Sequence, residues 1–134
     1  TTPEPTSITD SYSLLKALSR HPRFMRDQSM IKVIANRVSS REEGQSLYNK
    51  LNAVVTRYLK LPISYLGAVP QDQELANAVM QQTPVSIKNP RARSAEAYEE
   101  IAAKLMNKEL NRNLTKRGMA AFISHIIKNK KIQK

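Results

Sequence analysis

The stretch Ile63–Asp72, I-S-Y-L-G-A-V-P-Q-D, constrains what this chain can fold into more than any other. Mostly apolar residues run into Gly67, Ala68 and Val69, then into a proline and an acid, with no clean alternation. A strand buried on both faces reads this way when it ends in a tight loop. Helical spacing resumes at Gln73, so the order is strand, Pro-x-Asp, helix. In an α/β sheet such a junction presents backbone amides and loop atoms to a ligand. The same residues also suit an ordinary strand-to-helix turn.

A second strand of this kind is Met30–Val38, M-I-K-V-I-A-N-R-V, with Asn36-Arg37 at its carboxyl end. Ser39-Ser40 with Glu42-Glu43 then form the cap and acidic first turn of a helix. Its apolar stripe is Leu47, Leu51, Val54 and Tyr58, and Leu61-Pro62 ends it. After the central strand comes a helix with Leu75, Val79 and Gln82 on one side, stopped by Thr83-Pro84. Residues 84–93 read as a loop. Ser94 caps a further helix with Tyr98, Ile101 and Leu105 facing inward. At the start of the chain, Pro3 and Pro5 exclude a strand or a helix interior. Thr6 or Ser7 caps the first helix, in which Ile8, Tyr12, Leu15 and Leu18 or Ser19 recur at helical spacing, and His21-Pro22 stops it.

This β–α–β–α order, with helices of crossover length, predicts a parallel sheet flanked by helices, pairing residues 30–38 with 63–69. Two strands cannot complete a doubly wound domain, and their edges need neighbours. The chain therefore reads as α/β, the C-terminal half of a larger domain.

Charge divides the chain in two. All eleven acids lie at or before Glu109, whereas residues 112–134 carry seven lysines and arginines and no acid. Residues 1–111 are the α/β body and 112–134 a basic tail. In the tail Met119, Phe122, Ile123, Ile126 and Ile127 fall at i, i+3, i+4, i+7 and i+8, one apolar stripe of a helix. Lys128, Lys130 and Lys131 come after it, which suits a C-terminal amphipathic helix lying reversibly on an anionic membrane surface. The alternative is a last core helix packed on the body. A pI near 10.1 also raises a nucleic-acid-binding module. No helix-turn-helix signature supports it and the excess charge is concentrated in a tail, so nucleic acid is the weaker expectation. There is no cysteine, and His21 and His125 stand alone, so no metal site is expected. Tyr58 and Tyr98 read as core or core-rim residues.

T-T-P-E-P-T-S-I-T-D-S-Y, V-I-A-N-R-V, Y-L-G-A-V-P-Q-D and Q-Q-T-P-V, in this order, resemble the C-terminal half of MinD/ParA-type deviant Walker ATPases. Among these the resemblance is strongest to the FlhG (YlxH) branch that regulates flagellar number and placement. It implies a parallel-sheet P-loop NTPase fold, ATP and Mg2+ as cofactors of an intact parent, ATP-driven homodimerisation and a membrane-targeting helix. The implied partners are an anionic membrane, an FlhF-type GTPase and flagellar C-ring proteins. The implied location is cytoplasmic, peripheral on the inner face of a bacterial cell membrane. By this resemblance Asn36 and Arg37 fall where the base edge is read, and Pro70 and Asp72 in the loop over the base. Glu4, Thr6 and Asp10 fall on the dimer face. From the residues alone, Asn36 could equally shape a turn and Asp72 cap the next helix. The departure lies at the phosphate site: the glycines stand at 44, 67 and 118, and none forms G-x-x-x-x-G-K-[ST]. No catalytic residue is assigned, and these residues alone are expected neither to hydrolyse ATP nor to bind a cofactor firmly.

Overall fold

The computed structural model describes residues 1–22, 24 and 31–106. The elements are α1 (Pro5–Ser19), β1 (Ile31–Val38), α2 (Arg41–Leu59), β2 (Ile63–Pro70), α3 (Gln73–Met80), α4 (Val85–Lys88) and α5 (Arg93–Leu105). The two strands pair in parallel, from Ile31 opposite Ile63 to Val38 opposite Pro70. The tail assigned to the membrane, residues 112–134, lies outside the described residues, as does Met30.

Two bulges set which side chains face which helix. The register jumps between Val33 and Ile34, where Leu66 is the extra residue of β2, and between Asn36 and Val38, where Arg37 is the extra residue of β1. An inserted residue shifts the alternation of everything beyond it. Ala35 and Val38 consequently share a cluster with Leu47, Tyr65 and Ala68 on the α2 side. Leu66 and Val69 instead pack with Ile101 of α5. The uneven apolar pattern of Ile63–Val69 thus has a second cause besides burial on both faces.

A larger cluster at the amino ends of the strands joins Leu15, Val33, Leu51, Val55, Leu61 and Ile63. Tyr48 anchors it by donating from its hydroxyl to the Ile63 carbonyl at 3.0 Å. At the outer edge of β1, the Asn36 amide donates to the Thr1 carbonyl at 2.8 Å, and the Thr1 amine donates to the Ile34 carbonyl at 3.0 Å. At the bulge in β2, the Lys104 ammonium donates to the Leu66 carbonyl at 3.3 Å.

Several inward faces differ from those the spacing predicts. On α2 the buried residues are Gly44, Leu47, Leu51 and Val55, while Val54 and Tyr58 are exposed. On α3 Ala78 is buried, whereas Val79 points to solvent. On α5 Ser94, Ala95 and Ile101 are buried, leaving Tyr98 and Leu105 outside. At Gly44, Ala78, Ser94 and Ala95 the reason is close approach. A glycine, alanine or serine lets a helix lie nearer its neighbour than a valine or tyrosine would, and the larger side chains are turned outward. Tyr58 is therefore not a core-rim residue; the Arg57 guanidinium lies 5.3 Å from its ring centre at the surface.

The capping also differs in part. Helix α1 starts at Pro5, whose fixed φ suits the first helical turn, and Glu4 occupies the N-cap position without a capping hydrogen bond. Ser7 instead accepts the Thr2 amide at 3.0 Å and ties down the leading segment. Residues 84–93 contain the short helix α4. Helix α5 begins one residue before Ser94, with Ala92 at its N-cap. Ser40 does cap α2, accepting the Glu43 amide at 3.1 Å, while the Glu43 carboxylate accepts the Ser39 hydroxyl at 2.7 Å.

Candidate functional site

The polar loops gather at the carboxyl ends of β1 and β2. At the end of β1 the bulge places Arg37 in the left-handed region, φ 58°. The Asn36 side chain holds this turn, because its Oδ1 accepts the Arg37 amide at 3.0 Å. The Arg37 guanidinium then reaches across to Glu4 at 3.4 Å, both groups remaining substantially in water. An exposed pair of this kind contributes little to stability. The Glu4 carboxyl is held below the usual carboxylate range, first by the Thr2 hydroxyl and its own backbone amide and only then by Arg37.

Beneath this pair lies an open cleft of about 340 Å³, lined by Pro3, Glu4, Arg37, Ser39, Glu43 and Gln71. The Ser39 amide and hydroxyl hold the Glu43 carboxyl below the usual range, so it stays ionised beside the cleft. Arg37 and Glu4 of the sequence-derived candidates meet here, with Asn36 immediately behind the bulge. Gln71, Pro3 and Glu43 are lining residues that the sequence did not single out. Gln71 lay within the strand-Pro-x-Asp motif and could have been found there. Glu43 was legible only as part of a helix cap.

Pro70 and Asp72 go elsewhere. Pro70 lines a neighbouring cleft of about 240 Å³ between α2 and α5, with Ser40, Arg41, Ala68, Arg93 and Ala97 among its walls. That cleft is bridged by Arg41, whose guanidinium nitrogen contacts both Glu100 oxygens at 2.9 and 3.0 Å. Asp72 lines neither cleft. Its Oδ1 accepts the Glu74 amide at 3.0 Å and its Oδ2 accepts the Ser94 amide at 2.9 Å. The Ser94 amide is the main reason its carboxyl lies below the ordinary aspartate value. Arg93 adds a hydrogen bond to the Gln71 carbonyl at 3.1 Å, so the loop after β2 is pinned to the start of α5. Thr6 and Asp10 are exposed on the first turns of α1, outside the 340 Å³ cleft. The candidate membrane residues Met119 to Lys131 lie outside the described residues.

The chain is 37% identical over 102 residues to the antiactivator FleN of Pseudomonas aeruginosa, covering 76% of this chain and 35% of FleN. It is 28% identical over 131 residues to the flagellum site-determining protein YlxH of Helicobacter pylori, covering 96% of this chain and 42% of that protein. A third relative is an uncharacterized ATP-binding protein of Methanocaldococcus jannaschii, 35% identical over 126 residues, covering 94% of this chain and 43% of the relative. The chain thus spans between a third and a half of the length of each relative. No family model matches it. Parallel strands joined through a helix, with polar loops at their carboxyl ends, fit a fragment of an α/β domain of the P-loop NTPase class. Within that class the chain belongs to the MinD/ParA-type family, as a segment of the FlhG/YlxH kind.

Proposed function

We propose that this chain forms the base-side and dimer-side part of an ATP-dependent switch that regulates flagellar number or placement. The flagellar relatives support the biological role, and the ATP-binding relative supports the nucleotide. The observation that carries the reading is the Asn36–Arg37 bulge at the mouth of a cleft at the carboxyl end of a parallel strand. The donor set fits a purine. Gln71 offers an amide donor and acceptor, Arg37 a flat cation and Pro3 an apolar ring, while Asn36, set behind the bulge with its Oδ1 accepting the Arg37 amide, offers its side-chain NH2 as a donor. Pro70 and Asp72 act one step back in this reading, Asp72 by holding the loop that carries Gln71. When bound, ATP with Mg2+ supplies the phosphates whose presence or loss sets the switch. The phosphate-cradling motif is not among these residues, so binding and hydrolysis are assigned to the full-length protein. Glu4, Thr6 and Asp10 on α1 are the proposed dimer face. An FlhF-type GTPase and C-ring proteins are the proposed partners.

In the full-length protein, Asn36→Ala is expected to weaken ATP binding about tenfold, because it removes an amide at a partly buried base edge. Titration calorimetry measures this directly. Unchanged affinity reduces Asn36 to a turn residue and removes the main support for the cleft.

The tail is proposed to be a reversible anchor on the inner face of the cell membrane. Phe122→Glu and Ile126→Glu are each expected to reduce flotation with anionic vesicles severalfold, since each puts a charge on the apolar stripe. Flotation equal to wild type would show that the stripe does not hold the lipid. Added duplex DNA that displaces the vesicles would instead favour a nucleic-acid surface.

A further inference from the structure

Arg37 is held in two ways that do not obviously belong together. Its backbone is left-handed, a conformation that favours glycine or asparagine over a residue with a long side chain. Its guanidinium is occupied by an exposed carboxylate, Glu4, in a contact that water and salt can readily exchange. A strained backbone at a bulge re-aims a side chain, and strain of this sort is found where a ligand is handled. Here the re-aimed side chain lies on the rim of the 340 Å³ cleft, directly after the residue that holds the bulge.

We propose that Arg37 is a two-position arm that pairs with Glu4 when the cleft is empty and lies on the ring of a bound purine when it is filled. This rests on the nucleotide reading above and adds to it a residue that positions the base and a competitor for that residue. A guanidinium suits the task because it is planar, weakly hydrated and stacks on aromatic faces. Pro3 lines the same cleft and gives the ring an apolar wall; Gln71 gives its edge an amide. Release of Glu4 is what makes the exchange consequential. Glu4 is the N-cap residue of α1 and makes no capping hydrogen bond in this state. Once Arg37 leaves, the Glu4 carboxylate, still held by the Thr2 hydroxyl and its own backbone amide, is left without its cation and faces a second copy of the protein approaching that turn. Occupancy of the cleft is thereby signalled to the segment that carries Thr6 and Asp10.

The test is calorimetric titration of the full-length protein with ATP, adenosine and inorganic tripolyphosphate. Arg37→Ala is expected to weaken ATP and adenosine alike, by about five- to tenfold, and to leave tripolyphosphate unchanged. Glu4→Gln removes the competitor and is expected to tighten both purine ligands about two- to threefold. Arg37→Gly is expected to bind like the alanine variant while melting at or above the wild-type temperature, because glycine relieves the left-handed backbone. That variant separates a lost contact from a lost fold. An equal loss for tripolyphosphate would place Arg37 on the phosphates and overturn the proposal. So would a Glu4→Gln protein that binds purines no more tightly than wild type. If Asn36→Ala leaves ATP affinity unchanged, the cleft is not a base site and the arm falls with it. If Asn36→Ala weakens binding while Glu4→Gln has no effect, only the arm is lost.

Discussion

Gly44→Val is expected to lower unfolding stability by about 3 kcal/mol, the upper part of the range for overpacking a core. Gly44 is where α2 rests on the sheet. A Cβ built there would lie 2.7 Å from the Tyr65 hydroxyl, 3.0 Å from the Ala68 Cβ and 3.3 Å from the Ala35 Cβ. The tyrosine can swing, but the two methyls belong to paired strands, and Ala35 is completely buried. Helix propensity works the other way: a glycine in a helix interior costs about 1 kcal/mol relative to alanine. Alanine at 44 should therefore lose only about 1 kcal/mol net, whereas valine adds two more methyl groups where none fits and gains less from propensity. Urea denaturation of the three proteins gives the order. In a Tyr65→Phe background the alanine variant should recover part of its loss and no more, because the contacts with Ala35 and Ala68 remain. Three coincident midpoints would mean that α2 can rise off the sheet freely.

That contact also explains what could and could not be read from the residues. Both strands were legible because their β-branched runs end in punctuation, and their parallel pairing followed from the helix between them. The faces of the helices were less legible. A stripe through Leu47, Leu51, Val54 and Tyr58 maximises apolar weight, yet α2 turns Gly44 and Val55 inward and leaves Val54 and Tyr58 in water. The same preference for small residues buries Ala78 rather than Val79, and Ala95 rather than Tyr98. A glycine or alanine carries almost no hydrophobic signal, so close packing is least visible where it is tightest. The bulges were hidden for a related reason. One extra residue in a strand looks like poor alternation, which burial on both faces also produces. At the candidate site, Asn36 and Arg37 stood out through a local motif. Pro3 and Glu43 join them only because α1 and α2 both begin at the carboxyl end of β1, and no short window of sequence shows that.

Asp72→Ala is expected to cost about 2 kcal/mol at neutral pH, the sum of two helix caps at about 1 kcal/mol each. One carboxylate does both tasks. Oδ1 caps α3 through the Glu74 amide, and Oδ2 receives the Ser94 amide at the start of α5. Losing it orphans donors on two helices that contact each other and leaves the loop after β2 held at Gln71, by the Arg93 bond to its carbonyl and its own amide's bond to the Val38 carbonyl. Asp72→Asn keeps one acceptor oxygen and should lose about half as much. The pH dependence has a definite sign. The Asp72 carboxyl is held below its ordinary value in the folded protein, mainly by the Ser94 amide. Its contribution is therefore complete above the unfolded pKa, about 3.9, and disappears as pH falls through the lower folded value. Denaturation of wild type and Asp72→Ala from pH 7 downward should show a constant gap that closes only in strong acid. A gap that begins to close near pH 6 would assign the effect to another group. If the alanine variant keeps wild-type stability at pH 7, the two helix starts are held by something other than this carboxylate. The same substitution separates the structural task from a direct ligand contact. A loop loosened at Asp72 should weaken purine binding in the full-length protein less than Asn36→Ala does, because Asp72 lines neither of the two clefts and acts through the position of Gln71.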